Sequence, residues 1–497
     1  MTGSAERRAA VWWVRPVGAA AGGALLYAAS PPRSLWWLAP LAFAALALSV
    51  WGRRARNGFG IGFVFGLAYL LPLLRWLHDF LGDDFGVWPW LGLVAVEALF
   101  FGLTGAVRSR VSTALAASVW MAAVVVAAEA LRSRFPYGGF PWGRIAFTQG
   151  EGMFLPLAAI GGAALVTFAL ALSGCGLAML VRYRREPRQL LAAVAALLLP
   201  AAVGLTVPAG GDAAALTVGV IQGGAPDVGL GLIGESTVVR RNHVAEADRL
   251  AAEVRSGRLP EPDLLIFPES SNRFGPARTD PDLDRISAAL GRPLLVGGIA
   301  RDADGATSNR VLRWEPGRGA TAEYAKQRLV PFSEFIPLRQ VAGAVTPFAA
   351  DMPEDMVAGA DPGVFDVGPA RIGVAVCYEV AYDHVLAEAA QRGANLLVVP
   401  TNNAWFGRTE MTYQQLAMAR LRAVEHDRAV VVASTSGVSA IVRSDGALVR
   451  TTGQFTAESF VEQVPLRTGT TLATNLGSVP ALGLIGLVLR SRTRTGR

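Results

Sequence analysis

Long apolar runs at both ends of the chain enclose a middle in which short apolar segments alternate with polar ones. Apolar stretches lie near residues 11–30, 34–52, 58–77, 87–107, 111–131, 153–181 and 189–208, and an eighth at 471–489. Each is close to the roughly 20 residues that a helix needs to cross a bilayer. The pattern predicts a polytopic α-helical membrane protein. Residues 212–467 read differently, because β-branched runs at 216–221, 264–267, 294–296, 371–376, 396–399 and 430–433 have the length and composition of buried strands. Between them, 236–254, 282–290, 382–392 and 409–427 repeat apolar positions three or four apart, as helices with one buried face do. The expected organisation is a membrane domain of seven helices over 1–211, one α/β domain over 212–467, and an eighth helix with a basic tail over 468–497.

Composition agrees with that division. Of 497 residues 52% are hydrophobic and 17% charged, against about 25% charged in soluble proteins. Disorder, collagen and disulfide scaffolds are excluded. The net charge of +7 does not point to nucleic acid: residues 212–467 hold 25 basic and 31 acidic side chains, and the apolar remainder holds 21 and 8. A phosphate-binding stripe needs the reverse.

Arginines set the expected orientation, since positive loops stay cytoplasmic. Sixteen fall on one side: Arg7, Arg8, Arg15, Arg53, Arg54, Arg56, Arg108, Arg110, Arg182, Arg184, Arg185, Arg188, Arg490, Arg492, Arg494 and Arg497. Five fall on the other, namely Arg33, Arg75, Arg132, Arg134 and Arg144, beside the acidic turn at Asp79, Asp83 and Asp84. Both termini are then inside a cytoplasmic membrane and the 212–467 domain outside. The first run follows Arg7 and Arg8 as a signal peptide would, but the later spans favour a retained helix. Two acids, Glu97 and Glu129, lie within spans, where ionisable groups are functional hypotheses by default; Arg132, one turn on, is the expected partner of Glu129.

Of 46 basic residues 45 are arginine, and Lys326 is the single lysine. Coding bias alone would account for one survivor by chance. Its neighbourhood suggests more, because three strand ends carry reactive groups: Glu269 after the 264–267 run, Lys326 after Tyr324-Ala325, and Cys377, with Glu379 close by, after the 371–376 run. A thiol beside a cation, with a carboxylate to take its proton, makes an activated nucleophile for acyl transfer, and a compact ammonium suits an oxyanion better than a planar guanidinium. Taken singly, each residue has a structural reading: helix-terminal acid, surface lysine, small buried hydrophobe. Cys175, between Gly174 and Gly176 within a span, is read as structural. No disulfide and no metal site is expected.

These residues resemble a known family, the nitrilase-like carbon-nitrogen hydrolases, and among them the bacterial apolipoprotein N-acyltransferases. The matching pieces are Val218-Gly219-Val220-Ile221-Gln222-Gly223, Phe267-Pro268-Glu269-Ser270, Lys326-Gln327-Arg328-Leu329-Val330-Pro331-Phe332-Ser333-Glu334-Phe335-Ile336-Pro337, Cys377-Tyr378-Glu379 and Asn402-Asn403-Ala404-Trp405-Phe406-Gly407. In the membrane part Glu129, Arg132 and Gly139-Phe140-Pro141-Trp142 are similar to the family's signature after its fifth span. The resemblance implies an αββα sandwich on a helical membrane base, with Glu269 as general base, Lys326 as oxyanion partner and Cys377 as nucleophile. It further implies Glu334 as an essential acid, Tyr378, Glu379 and Asn309 as residues that shape the site, and Trp405 at the acyl entrance. The implied substrates are a membrane phospholipid as acyl donor and a diacylglyceryl-modified apolipoprotein as acceptor; no cofactor is implied, and a monomer without a fused glycosyltransferase is expected. The chain departs from the family where a tryptophan is expected and Gly229-Leu230-Gly231 stands. The segment 336–356, with Val341, Val345, Phe348, Met352 and Met356, reads as an apolar lid or as simple packing.

Two other readings stay open at this point. A membrane-tethered amidase or nitrilase would use the same three residues with water as the acceptor. A transporter with a large outer domain needs more intramembrane charge than this chain carries.

Overall fold

The computed structural model describes residues 13–106, 113–207, 210–211, 214–226, 235–340, 354–477 and 479–493. The glycines at 229–231 and most of the expected lid, including Val341, Val345, Phe348 and Met352, lie outside the described residues. The chain forms two compact units, 1–208 with 471–497, and 209–470.

In the first unit, Ala55–Leu73, Trp88–Ala106, Ala114–Arg132, Leu155–Arg182 and Pro187–Gly204 are long and apolar enough to cross a bilayer. The two runs before them give shorter helices among the described residues, Val14–Ala28 and Leu38–Val50. A helix of 13 residues rises only about 20 Å, and the Pro31-Pro32 pair and the positive-φ Gly52 bound it. The last run breaks at Gly477, leaving Leu472–Leu476 and Val479–Thr493. Glycine sets one of the close packings: a Cβ on Gly58 or on Gly105 would sit 2.1 Å from the other residue's carbonyl oxygen. The helices Ala55–Leu73 and Trp88–Ala106 can touch backbone to backbone there only because both residues lack one.

The expected Glu129–Arg132 pair is not formed. Arg132, 1% exposed, instead reaches across to Glu97 Oε2 (3.0 Å) and donates to the carbonyls of Trp142 (2.8 Å) and Gly143 (3.2 Å). Glu129 takes the backbone N–H of Ile145 (2.7 Å) and the hydroxyl of Thr167 (2.9 Å), with Arg144 Nε at 3.6 Å. Each buried charge thereby meets several partners on the folded-back segment after residue 132, more than a neighbour on its own helix could supply.

The second unit holds two sheets. The first comprises β1 (Ala214–Gln222), β2 (Leu264–Ile266), β3 (Asn272–Phe274), β4 (Leu294–Arg301), β5 (Thr307–Glu315), β6 (Gly319–Ala325) and the late strand Glu458–Leu466, in the order Glu458–Leu466, β1, β2, β4, β5, β6, with β3 pairing β4. The second comprises β7 (Gly363–Val367), β8 (Ala370–Val374), β9 (Leu396–Thr401), β10 (Val430–Ser434), β11 (Ala440–Val442) and β12 (Leu448–Thr451), ordered β12-β11-β10-β9-β8-β7. Val218, Val220, Leu264 and Ile266 of one sheet share a dry core with Ile372, Val374, Val398 and Val431 of the other. The helices Ser236–Arg255 and Pro281–Leu290 cover the first sheet, and Asp383–Gln391 and Met411–His426 pack on the second. The result is an αββα sandwich.

Local chemistry sets the element ends. The helix Pro281–Leu290 starts with Asp280 accepting from the N–H groups of Asp282 (2.9 Å) and Leu283 (3.2 Å), has proline at its first position, and stops at the left-handed Gly291. Strands β1, β2 and β4 run parallel to one another in the first sheet and β8, β9 and β10 in the second; ligands of α/β folds lie at the carboxyl ends of such strands.

Candidate active site

Glu269 follows β2, Lys326 follows β6 and Cys377 follows β8. All three are buried. The Lys326 ammonium lies 3.1 Å from Glu269 Oε1 and 3.0 Å from Glu334 Oε1. Asn309 Nδ2 donates to the same two oxygens, at 2.7 Å each. The remaining oxygens are also taken: Asn402 N–H donates to Glu269 Oε2 (2.8 Å) and Val330 N–H to Glu334 Oε2 (2.8 Å). Burial works against the charge of Lys326, but the carboxylates of Glu269 and Glu334 outweigh it and the ammonium is held well above its ordinary range.

Cys377 opens a short 3-10 turn with φ +52°, a left-handed value that costs a non-glycine residue about 1–2 kcal/mol. Ser270, next to Glu269, has φ +56°. Strained residues of this kind persist where surrounding contacts over-determine them. Here Glu379 supplies many of those contacts: its fully buried carboxylate accepts from Val376 N (2.7 Å), Gln327 N (2.7 Å), Arg328 N (2.9 Å) and the Tyr324 hydroxyl (2.9 Å). One side chain thus ties the segment that carries Cys377 to the segment that carries Lys326. Burial nevertheless pushes the Glu379 carboxyl above the usual carboxylate range. Arg422, 0% exposed, fixes the other end of the turn through the carbonyls of Val380 and Ala381, both at 2.9 Å. On β4, a Cβ at Gly297 would come within 2.4 Å of the Pro268 carbonyl, so glycine there lets the Glu269 segment approach the strand.

Burial, then the nearby Glu269 charge, pushes the Cys377 thiol up to about 12, while Lys326 pulls the other way. The resting sulfur therefore holds its proton at neutral pH, and a base must remove it as attack begins. Glu269 is the carboxylate whose charge the thiol feels most.

Of the other residues singled out in the sequence, Tyr378 is buried beside Tyr382, ring centroids 5.2 Å apart. Trp405 is half-buried in the turn Ala404–Phe406 and packs with Val239, Ala225 and Ala404. Sequence reasoning missed Tyr324, Thr401 and Gln415. Gln415 Nε2 lies 3.6 Å from Cys377 Sγ. Its only signal in the sequence is a glutamine at a helix position whose neighbours one turn away, Met411 and Met418, are apolar and buried. Among the described residues no group of three or more His, Cys, Asp or Glu side chains is placed to hold a metal.

The αββα sandwich and the acid, lysine and cysteine at its strand ends define a carbon-nitrogen hydrolase domain, and residues 243–473 match the family described as "Carbon-nitrogen hydrolase". Residues 22–176 match "Apolipoprotein N-acyltransferase N-terminal domain". The apolipoprotein N-acyltransferase of Mycolicibacterium smegmatis is 38% identical over 93% of this chain and 82% of its own, and that of Azotobacter vinelandii is 31% identical over 96% and 94%. Among solved structures, Saccharomyces cerevisiae Nit3, of the nitrilase superfamily, aligns with a TM-score of 0.38 at 16% identity over 51% of this chain and 91% of that one. The chain belongs to the apolipoprotein N-acyltransferase family.

Proposed function

We propose that this membrane acyltransferase moves a fatty acyl chain from a phospholipid to the α-amino group of the diacylglyceryl-cysteine of an apolipoprotein, through a thioester on Cys377. The observation that carries the assignment of residues is the shared grip of Glu269 and Glu334 on Lys326, with the protonated Cys377 thiol within the field of that pair.

Glu269 takes the thiol proton as Sγ attacks the ester carbonyl carbon of the phospholipid. The carbonyl π pair moves onto oxygen, and the resulting oxyanion faces the Lys326 ammonium. When the tetrahedral adduct collapses, the C–O bond to glycerol breaks and Glu269 returns the proton to the departing alkoxide, leaving a lysophospholipid and the Cys377 thioester. The neutral amine of the lipoprotein then attacks the thioester carbonyl and Glu269 accepts its proton. Collapse forms the amide and expels the thiolate, which recovers the proton. Glu334 and Asn309 hold Lys326 and Glu269 in register throughout, Glu379 and Tyr378 shape the turn that presents the sulfur, and Trp405 borders the acyl entrance. No cofactor enters.

Both substrates are membrane-anchored, so a catalyst tethered to the bilayer meets them at high effective concentration. Reading the apolar runs as seven spans before residue 212 and one after 467, with the arginine-rich loops inside, supports a catalytic domain outside the cytoplasm. Labelled phospholipid is the test: hydroxylamine-labile label should appear on the wild type and on Cys175→Ala but not on Cys377→Ala. Label retained on Cys377→Ala would overturn the assignment. Alkaline phosphatase fused after Pro226 should be active and a cytoplasm-only fluorescent reporter after Arg188 should emit; the reverse pattern would overturn the topology.

A further inference from the structure

Beside the sulfur of Cys377 stands a buried carboxamide that neither the acid–lysine pair nor the membrane unit accounts for. Gln415, 2% exposed on the helix Met411–His426, places Nε2 3.6 Å from Sγ. Its other end is fixed by the Thr401 hydroxyl, which lies 2.9 Å from Gln415 Oε1 and 3.0 Å from Asn403 Oδ1. Thr401 closes β9 and is itself fully buried. Asn403 is held by donating to Thr412 Oγ1 (2.9 Å), and the Thr412 hydroxyl also takes the N–H of Val438 (3.0 Å). With its one hydroxyl proton given to Gln415 Oε1, Thr401 fixes the carboxamide so that its N–H is directed at the nucleophile; the Thr401 hydroxyl and the Asn402 N–H also face the sulfur.

A buried N–H whose acceptor is a neutral thiol gains little, because a thiol sulfur is a weak acceptor. Against a thiolate the same contact is charge-assisted and about twice as strong. Thiolate is the species that must exist twice in the cycle, as the acyl chain arrives and as it leaves.

We propose that Gln415, oriented by Thr401, is a hydrogen-bond donor that stabilises the Cys377 thiolate, lowering the barrier both to its formation and to its expulsion from the thioester. The proposal rests on Cys377 being the nucleophile. The direction of the bond is its distinguishing feature: the group facing sulfur must donate, so a side chain of equal size without a donor, or with an acceptor, should fail in graded order.

The test uses the full-length protein in detergent, with two readouts on each variant. The first is the rate of Cys377 alkylation by iodoacetamide against pH, followed on the Cys377 peptide by mass spectrometry. The second is single-turnover thioester formation from labelled phospholipid. Gln415→Met, which keeps size and apolar contact but cannot donate, should shift the alkylation profile to higher pH by about one unit and slow thioester formation roughly ten- to a hundredfold. Raising the pH should restore part of the loss. Gln415→Glu, isosteric and anionic, should shift the profile further, and Thr401→Val should shift it in the same direction, both by freeing the carboxamide and by removing a hydroxyl that itself faces the sulfur. Profiles that coincide with the wild type would overturn the proposal, as would a Glu variant that reacts as fast as the Met variant or faster. If Gln415→Met does not fold, Gln415→Glu decides: alkylation as fast as in the wild type would overturn the proposal. Wild-type protein that acquires no acyl label on Cys377 would defeat the nucleophile assignment alone, because alkylation needs no substrate.

Discussion

Replacing Lys326 separates two roles that the proposed reaction assigns to one atom. The ammonium holds Glu269 Oε1 and Glu334 Oε1 together, and Asn309 Nδ2 bridges the same pair at 2.7 Å on each side. Those two oxygens can be no more than about 5.5 Å apart, because two hydrogen bonds to one nitrogen span no more. At an effective dielectric near 20, two unit charges at that distance repel by about 3 kcal/mol. In Lys326→Ala no ammonium stands between the two carboxyl groups to offset this repulsion. The variant loses the oxyanion partner, worth roughly a hundred- to a thousandfold in turnover, and is further impaired because the grip that holds the base in place is gone. Lys326→Arg keeps the charge. It loses geometry, because a planar guanidinium does not fit a site closed on all sides around a lysine that is 1% exposed. Single-turnover acyl transfer from labelled phospholipid should therefore fall for both variants. Lys326→Arg should fall nearly as far as Lys326→Ala, although it keeps the charge. Near-normal turnover of the Arg variant would refute the reasoning.

Glu379→Gln puts an amide NH2 against at least one of the N–H groups of Val376, Gln327 and Arg328. Losing one charge-assisted bond and stranding a buried donor costs roughly 2–4 kcal/mol, to be read as a lower thermal midpoint together with slower thioester formation; an unchanged midpoint would count against the anchoring role. Alkylation of Cys377 should keep rising with pH through about pH 9 without a plateau, since burial pushes the thiol up to about 12; a plateau near neutrality would contradict a protonated resting sulfur. His243, 0% exposed, is lowered by burial from its ordinary 6.5 to about 4. Its folded value lies below the unfolded one, so the stability tied to its neutral form is complete above about pH 6.5 and drains as the pH falls toward 4, on the order of 3 kcal/mol in all. The thermal midpoint of the full chain should therefore drop between about pH 7 and pH 4.5, and His243→Phe should flatten that drop.

Legibility in the sequence followed burial. Every strand expected from a β-branched run exists, because β2, β9 and β10 are buried along their whole length and β4 and β8 along most of it, so that their residues are largely apolar. Strands β5 and β12 escaped notice, and of β6 only the Tyr324-Ala325 end was read as a strand: all three are antiparallel to a neighbour, and β12, with the sequence Leu448-Val449-Arg450-Thr451, is exposed along its whole length. A strand that wets one face or both needs no apolar run, and pairing rather than composition defines it. In the membrane unit the apolar lengths were legible and the side-chain partners were not. A turn of helix between Glu129 and Arg132 suggests a pair, yet the decisive partners, Glu97 and the 142–145 backbone, come from other parts of the chain.

Of the three proposed reactive residues, Glu269 and Cys377 stood out because each follows a short apolar run and Lys326 because it is the single lysine, whereas the residues that position them come from partner segments in no fixed register with those runs. Glu269 and Lys326 are 57 residues apart, and Cys377 and Gln415 are 38 apart. The lysine carries the clearest argument about why this site takes the residue types it does. Elsewhere the chain meets its buried charges with arginine, as at Arg132 and Arg422, where flat guanidinium groups bridge several carbonyls and carboxylates at once. At position 326 two carboxylate oxygens converge on a single nitrogen. An ammonium has three N–H bonds in a tetrahedral spread, and these two acceptors use two of them. The third remains for a further acceptor, and in the proposed reaction that acceptor is the oxygen on which negative charge develops. A guanidinium directs its N–H bonds within one plane and cannot serve two fixed carboxylates and a new oxyanion from one point.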